Sequence, residues 1–104
     1  MSELKLIDLF AGCGGMSLGL QWAGFRPLVA IEQSEMAAET YFHNFHRSGD
    51  PDKAWADHLG FVQNKDYLNQ AKRGVVAAGV EEVLKDDATM QWLKAQQVDV
   101  LVGG

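Results

Sequence analysis

The sequence predicts an α/β domain in which a parallel β-sheet carries helices on its faces. Three observations favour this fold class. Short apolar segments typical of strands alternate with helical segments along the chain, and the first of these strands runs directly into a glycine-rich turn that opens a helix. In addition, 47% of the 104 residues are hydrophobic, which is enough to bury one small core.

The first strand and helix flank the glycine turn. Lys5 to Phe10 is a mostly apolar run, which is typical of a buried parallel strand. The turn follows over 11–15, where three glycines in four positions allow unusual backbone angles. A helix is predicted over Met16 to Ala23, with Gly24 as its C-terminal stop.

A second strand and helix follow after a connection over 25–27. Leu28 to Ile31 reads as a short buried strand that ends at Glu32. Ser34 is a favourable helix N-cap, and the helix that it opens is predicted to run to about Phe45. The sequence Ser-Gly-Asp-Pro at 48–51 then breaks the helix.

The pattern over 52–79 is weaker and favours two further helices. Their apolar positions are Trp55, Leu59 and Val62 in the first, and Tyr67, Leu68, Ala71 and Val75 in the second. We expect the three tryptophans, Trp22, Trp55 and Trp92, to pack inside the fold, because each falls in a helical pattern beside apolar residues.

The last part of the chain predicts two strands around a short helix. A third strand is expected over Glu81 to Lys85, leading into Asp86-Asp87. Thr89 is the expected cap of a helix over Met90 to Gln96, and Val98 to Val102 is the expected final strand.

The glycine turn and Glu32 together predict a site for a cofactor that contains a nucleoside. Glycine lets a ligand approach the backbone, and the start of the following helix offers free N–H groups to an anion. A carboxylate about 20 positions after Gly12, at the end of the next strand, is placed to accept hydrogen bonds from ribose hydroxyls. Since Ser17 and Met16 break the dinucleotide fingerprint in its two registers, the residues leave both a dinucleotide and S-adenosylmethionine open.

Several segments resemble the opening of the cytosine-carbon-5 DNA methyltransferases. They are DLFAGCGGMSLGL, then GF, VAIE and AAETYFHNF, within about Leu4 to Phe45, and the resemblance resumes at Asp87 to Thr89 and at Val98 to Gly104. The resemblance implies a partial Rossmann-like methyltransferase fold with S-adenosylmethionine as cofactor. It also implies the transfer of a methyl group to cytosine in DNA, as in restriction-modification systems.

The resemblance assigns roles to residues of the cofactor site. Phe10 would lie against the adenine, Glu32 would hold the ribose hydroxyls, and Asp87 would accept from the exocyclic amine of the adenine. Gln33 stands where the family usually has an apolar or aromatic residue. The full set of implied cofactor-binding residues is Phe10, Ala11, Gly12, Cys13, Gly14, Gly15, Glu32, Gln33, Asp87 and Ala88.

The family's nucleophilic cysteine would follow directly after Gly104. We therefore expect residues 1–104 to be the N-terminal, cofactor-binding part of a catalytic domain, with an insertion at about 46–80 and no activity alone. In the intact enzyme a thiolate would add to carbon 6 of a cytosine flipped out of the duplex. Cys13, the single cysteine, lies at a variable position of the loop and lacks a nearby acid–base partner in the sequence, so we expect it to be a small residue that fits the turn.

Charge and composition limit the partners. The net charge is −5, from 9 basic and 14 acidic residues, so we expect weak or no DNA binding by this part of the protein. No metal site is expected, and the three histidines, His43, His46 and His58, are predicted at the surface or at the edge of the core. A cytoplasmic location and self-association through an uncovered strand edge are also expected.

Two other functions remain open from the sequence. One is a tRNA cytosine methyltransferase, which shares the same opening motifs with the DNA enzymes. The other is a nicotinamide-dependent oxidoreductase, against which the broken dinucleotide fingerprint argues.

Overall fold

In the computed structural model, which describes residues 4–12, 14–46 and 49–103, parallel strands form one sheet with helices on both faces. The strands are β1 (Leu4–Leu9), β2 (Phe25–Ile31), β3 (Val75–Val76) and β4 (Val100–Gly103). The helices are α1 (Gly15–Trp22), α2 (Glu35–Phe45), α3 (Pro51–Gln63), α4 (Tyr67–Lys72), α5 (Val80–Leu84) and α6 (Asp87–Ala95). The predicted fold class, an α/β sheet consistent with a partial Rossmann-like fold, is confirmed.

The strand order, β3-β2-β1-β4, reverses beside β1. The chain passes from β1 to β2 to β3 in one direction and then crosses to the other side of β1 to form β4. Open parallel sheets form ligand sites outside the carboxyl ends of the strands at such a reversal. Leu9 pairs with both Ile31 and Gly103, so β1, β2 and β4 end at the same level.

The second strand begins at Phe25, three residues earlier than the sequence predicts. The pairing with β1 shifts between Leu6 and Ile7, which face Pro27 and Val29, so that Leu28 is an extra residue. Proline has no N–H group and is tolerated in a strand at a bulge of this kind. The prediction of a plain connection over 25–27 is therefore wrong.

Each face of the sheet buries its own apolar cluster. Neighbouring residues of β2 alternate between the two faces, with Val29 and Ile31 on one and Ala30 on the other. The buried members of the first cluster are Ile7, Val29, Ile31, Ala71, Val76, Ala78, Val83 and Leu93. Those of the second are Ala30, Ala38, Tyr41, Phe42, Trp55 and Val75.

The third strand lies at Val75–Val76, inside the region where the sequence predicts a helix. The expected strand over Glu81 to Lys85 is wrong, since Val80–Leu84 forms α5. Two fully buried valines suit a strand, whereas acidic residues are favourable in the first turn of a helix, where α5 carries Glu81 and Glu82.

The boundaries of the last two elements also differ from the prediction. The cap of α6 is Asp86, whose side chain accepts a hydrogen bond from the Thr89 N–H at 3.2 Å, so Thr89 lies inside the helix and is fully buried. The final strand begins at Val100, after Asp99 and Lys5 have exchanged hydrogen bonds that align β4 with β1.

The three tryptophans are not equally packed. Trp55 is 8% exposed and Trp92 packs against the first cluster, but Trp22 on α1 is 80% exposed, so the prediction that it packs is wrong.

Within the part of the chain that the structure describes, no helix has the length and apolar character needed to cross a membrane.

Candidate functional site

The glycine loop, residues 10–15, connects β1 to α1 and has a left-handed backbone at three described positions. The φ angles are +55° at Phe10, +57° at Gly12 and +103° at Gly14. Glycine adopts such angles freely, but a phenylalanine there is strained, and strain of this kind clusters at functional sites. The Gly14 N–H donates to the Ala11 carbonyl at 3.1 Å and tightens the turn. Cys13, a predicted cofactor residue, lies outside the described residues.

Glu32 connects the end of β2 to the glycine loop. Its Oε1 accepts a hydrogen bond from the Gly12 N–H at 2.9 Å, and its Oε2 accepts one from the Ser34 N–H at 2.6 Å. An ionised carboxylate has about four acceptor positions, so each oxygen keeps acceptor capacity for another donor. The structure thus brings together the two features that the sequence singles out, the glycines and the strand-final carboxylate.

The glycines of the loop differ in what surrounds them. A β-carbon at Gly14 would overlap the Phe45 ring and lie 3.0 Å from Tyr41 Cδ2, so α2 presses directly on the loop at this residue. A β-carbon at Gly12 or Gly15 would meet no atom within 4 Å. The loop is therefore packed from below by α2 and open at Gly12 and Gly15.

The start of α1 has no side-chain cap. Gly14 occupies the N-cap position, and among the described residues no side-chain hydrogen bond caps the first turn. A cavity of about 320 Å³ lies beside it, lined by Gly14, Gly15, Leu18, Asn44 and Phe45. Uncapped N–H groups at a helix start favour an anionic ligand.

Two more predicted residues lie at the same edge of the sheet with exposed side chains. Phe10 is 61% exposed, which is unusual for a residue that follows a buried strand. Gln33 lies between Glu32 and Ser34 and is exposed as well. An exposed aromatic ring beside open backbone is available to stack on a planar ligand.

Asp87 and Ala88 begin α6, and both are exposed. The helix returns the chain to the start of β4, so its first turn lies toward the carboxyl edge of the parallel sheet. The residues directly after β3 are Ala77 and Ala78, which carry no polar side chain. The prediction that a strand over Glu81 to Lys85 leads to Asp87 is wrong, because helix α5 precedes it instead.

Three buried polar residues below the loop were not predicted from the sequence. Asp8, Ser17 and Tyr41 are at most 1% exposed. The Ser17 hydroxyl donates to Asp8 Oδ2 at 2.6 Å and lies 2.6 Å from the Tyr41 hydroxyl. The only signal for them in the sequence is an aspartate inside an apolar strand, where a charged side chain needs a partner.

A second polar group, here called the histidine cluster, consists of His43 on α2, His46 at the C-cap of α2 and His58 on α3. His58 is fully buried, so the prediction of a surface or core-edge position is wrong for it. Its ring lies 4.9 Å from that of Phe42 and 5.3 Å from that of Trp55, between centroids. Among the described residues, no three potential metal ligands come together.

The histidine cluster has unpaired ring nitrogens. Each of its three members has at least one buried ring nitrogen for which the described residues offer no hydrogen-bond partner. Burial lowers the pKa of His58 to about 4, and the Arg73 guanidinium adds to this although the Val75 carbonyl opposes it. Burial also lowers the pKa of His46 to about 4, with smaller contributions from His58 and Arg26. Both imidazoles are therefore neutral near pH 7.

Comparison with known proteins agrees on one family. The model of the C-5 cytosine-specific DNA methylase family matches residues 4–70. A putative type II methyltransferase of Methanocaldococcus jannaschii, M.MjaORF1200P, is 32% identical over 129 residues, which covers 97% of this chain and 34% of that protein. The type II methyltransferase M1.HphI of Haemophilus parahaemolyticus is 31% identical over 102 residues, covering 98% of this chain and 20% of that protein.

A third relative matches the glycine loop region more closely. The type II methyltransferase M.HgiDI of Herpetosiphon aurantiacus is 55% identical over 42 residues, which covers 40% of this chain and 14% of that protein. The chain thus spans about a third or less of the length of these three relatives. No solved structure matches the chain significantly.

Proposed function

Because the chain belongs to the C-5 cytosine-specific DNA methylase family, we propose that it forms the S-adenosylmethionine-binding part of an enzyme that methylates cytosine in DNA. The observation that carries this proposal is the hydrogen bond between Glu32 and the Gly12 N–H, which joins the strand-final carboxylate to the glycine loop. The names of the relatives, all type II methyltransferases, support DNA as the substrate of the whole protein.

The described residues fit the cofactor. The methionine part of S-adenosylmethionine carries a carboxylate, which the uncapped N–H groups of α1 would attract. The open backbone at Gly12 and Gly15 admits a ligand without a clash. The remaining acceptor capacity of Glu32 suits two ribose hydroxyls, since both of its oxygens are already held by backbone donors that fix their direction.

The adenine contacts form a second part of the proposal. The exposed Phe10 ring would stack on the base, and Gln33 would lie beside it. Asp87 would accept from the exocyclic amine and Ala88 would approach the ring, an assignment supported by the position of the first turn of α6 at the carboxyl edge of the sheet. Ala11 and Cys13 would contribute loop backbone.

Methyl transfer to cytosine also needs a nucleophilic thiol, which we do not assign to any residue of 1–104. When bound, S-adenosylmethionine supplies an activated methyl group, and the chain's own residues bind and orient it. The single cysteine, Cys13, has no acid–base partner close to it in the sequence. We therefore propose that the nucleophilic thiol comes from outside these 104 residues, that the segment at about 46–80 is an insertion, and that this chain alone transfers no methyl group.

Two partner proposals follow from charge and from the sheet edge. The net charge of −5 favours weak or no binding of DNA by these residues alone. On β4, Leu101 is 63% exposed beside a strand edge that pairs with nothing else in the described ranges. Such an edge favours association with another strand, so we propose that the isolated chain self-associates.

Calorimetric titration tests the cofactor proposal. The chain is expected to bind S-adenosylhomocysteine more tightly than NAD. Glu32→Gln keeps the size of the side chain but removes its charge, and it is expected to weaken S-adenosylhomocysteine binding about tenfold or more, the scale of hydrogen bonds to a charged group. Glu35→Gln, an exposed carboxylate in the first turn of α2, is the matched control and should bind like the wild type.

Preferential binding of NAD by the wild type would contradict the methyltransferase assignment and favour the oxidoreductase alternative. Equal affinities for Glu32→Gln and the wild type would remove Glu32 from the site.

A further inference from the structure

The feature beneath the glycine loop is a hydrogen-bonded chain of three buried side chains from three elements, here called the buried trio. Asp8 comes from β1, Ser17 from the first turn of α1 and Tyr41 from α2. Their exposed fractions are 1%, 0% and 0%. The two oxygen–oxygen distances, Asp8 Oδ2 to Ser17 Oγ and Ser17 Oγ to the Tyr41 hydroxyl, are both 2.6 Å.

The direction of the hydrogen bonds follows from proton counting. A serine hydroxyl has one proton, and that of Ser17 goes to Asp8 Oδ2. The Tyr41 hydroxyl must therefore donate to Ser17. Burial, ahead of the nearby Asp8 charge, raises the pKa of Tyr41 to about 12, so the phenol keeps the proton that it donates.

The trio closes the glycine loop at its base. Asp8 precedes the loop by two residues and Ser17 follows it by two, so their hydrogen bond joins the chain on either side of the loop. Tyr41 adds the third side, because its ring approaches Gly14 and packs on Phe45 with 4.5 Å between centroids. The loop is thereby held by polar contacts on one side and by aromatic packing on the other.

Ordinary core packing does not explain the trio. Burying a carboxylate raises its free energy, and apolar residues of similar volume often stabilise a core as well or better. The pKa of Asp8 is raised by this burial and by the nearby Glu32 carboxylate, although Ser17 opposes the shift. Ser17 is not a helix cap either, since Gly14 holds that position without a side-chain hydrogen bond.

We infer that Asp8, Ser17 and Tyr41 are positioning residues that fix the glycine loop in the shape that takes the adenosyl cofactor. This inference rests on the proposed function for the identity of the ligand. The claim that the trio orders the loop is independent of the proposed function. The amide hydrogens of Gly12 and Gly14 are both hydrogen-bonded, so their exchange reports the order of the loop without any ligand.

The test compares two tyrosine variants of the full chain. Tyr41→Phe removes only the tyrosine hydroxyl of the trio. Tyr67→Phe is the control: it removes a hydroxyl that donates to Glu82 at 2.5 Å, and Tyr67 packs against the first apolar cluster, on the opposite face of the sheet from Tyr41. Tyr41→Phe is expected to weaken S-adenosylhomocysteine binding about threefold and to speed hydrogen exchange at Gly12 and Gly14 by a similar factor. Tyr67→Phe should change neither.

Ser17→Ala breaks both hydrogen bonds of the trio. It is expected to weaken S-adenosylhomocysteine binding about tenfold and to speed hydrogen exchange at Gly12 and Gly14 by a similar factor. Wild-type affinity and unchanged exchange at Gly12 and Gly14 in Tyr41→Phe would overturn the inference, and so would equal acceleration of all slowly exchanging amides, which indicates a merely structural role. If the wild type binds no S-adenosylhomocysteine, the proposed function fails, and the exchange measurements still decide for or against the trio. If Ser17→Ala does not fold, Tyr41→Phe decides alone.

Discussion

Two polar groups in the described part of the core, the trio below the glycine loop and the histidine cluster, satisfy their hydrogen-bonding needs differently. In the trio, Ser17 pairs with both Asp8 and Tyr41 at 2.6 Å. In the histidine cluster, several buried ring nitrogens, including both of His58, have no partner with hydrogen-bond geometry among the described residues. Each group nevertheless contains at least one residue at or below 1% exposure, all three in the trio and His58 in the histidine cluster.

The difference indicates what each region contributes. A fully paired polar network fixes one geometry, which suits a loop that must match a ligand. The unpaired nitrogens contribute nothing to hydrogen bonding, and the His58 ring lies between the aromatic rings of Phe42 and Trp55. The histidine cluster therefore packs α2 against α3, but it destabilises the fold when the pH falls and the imidazoles become protonated.

The largest expected effect concerns the contact between α2 and the loop. Gly14→Ala would place a β-carbon on the Phe45 ring at a residue with φ of +103°, and we expect a loss of about 3 kcal/mol in the free energy of unfolding. Gly12→Ala, at φ of +57° with open space, is the control and should lose about 1 kcal/mol. Urea unfolding measures both, and equal losses would show that α2 does not press on the loop.

Acid is expected to act mainly on the histidine cluster. His46 and His58 have folded pKa values of about 4 against 6.5 when unfolded. The unfolded chain therefore binds more protons between these values, so their stabilising contribution is complete above pH 6.5 and declines as the pH falls toward 4. We expect the free energy of unfolding to drop by about 2 kcal/mol between pH 7.5 and pH 5.5.

Other charges near the histidine cluster shape this response. Arg73 disfavours the charged imidazole of His58 and Arg26 that of His46, while the Glu39 carboxylate lies 3.8 Å from the His43 ring at the edge of the cluster. Asp8 acts with the opposite sign, because its folded pKa is raised and its contribution is lost as the pH rises. A stability that does not fall on acidification to pH 5.5 would contradict the burial of neutral imidazoles.

Replacing the buried imidazole separates the two regions. His58→Leu removes both unpaired nitrogens at similar volume, and we expect it to raise the free energy of unfolding by about 1 kcal/mol at pH 7.5. The same variant should flatten the acid response. A large destabilisation would instead indicate that the Val75 carbonyl holds the ring through a hydrogen bond that matters for stability.

The smallest effect on stability is expected at the exposed surface of α1. Trp22→Gln changes a residue that is 80% exposed, so the free energy of unfolding should stay within about 0.5 kcal/mol. Light scattering on the wild type tests the proposed self-association through the β4 edge. A clean monomer for the wild type would contradict the proposed association of the uncovered sheet.

The sequence predicts the region around the glycine loop better than the rest because its signals there are local. A left-handed turn requires glycine at Gly12 and Gly14, and a strand-final carboxylate such as Glu32 is visible without tertiary information. The short strand β3 is different, because its two residues become a strand only by pairing with Ala30 and Ile31, far away in the chain.

Burial of single polar side chains also depends on distant partners. Nothing within the α3 pattern distinguishes His58, which is fully buried, from an edge position, and nothing within α1 shows that Trp22 has no neighbour to cover it. The trio has the same origin, since Tyr41 reaches Ser17 across 24 positions of the chain. Periodicity identifies the elements, and the contacts between elements decide which faces meet.

The most direct test of the central claim follows backbone amides during titration with S-adenosylhomocysteine by two-dimensional NMR. The two N–H groups held by Glu32, those of Gly12 and Ser34, should shift together with Gly15, while Gly60 in α3 should not move. Shifts confined to residues around α3, with Gly12 and Ser34 unchanged at saturating ligand, would contradict the assignment of the cofactor site to the glycine loop and Glu32.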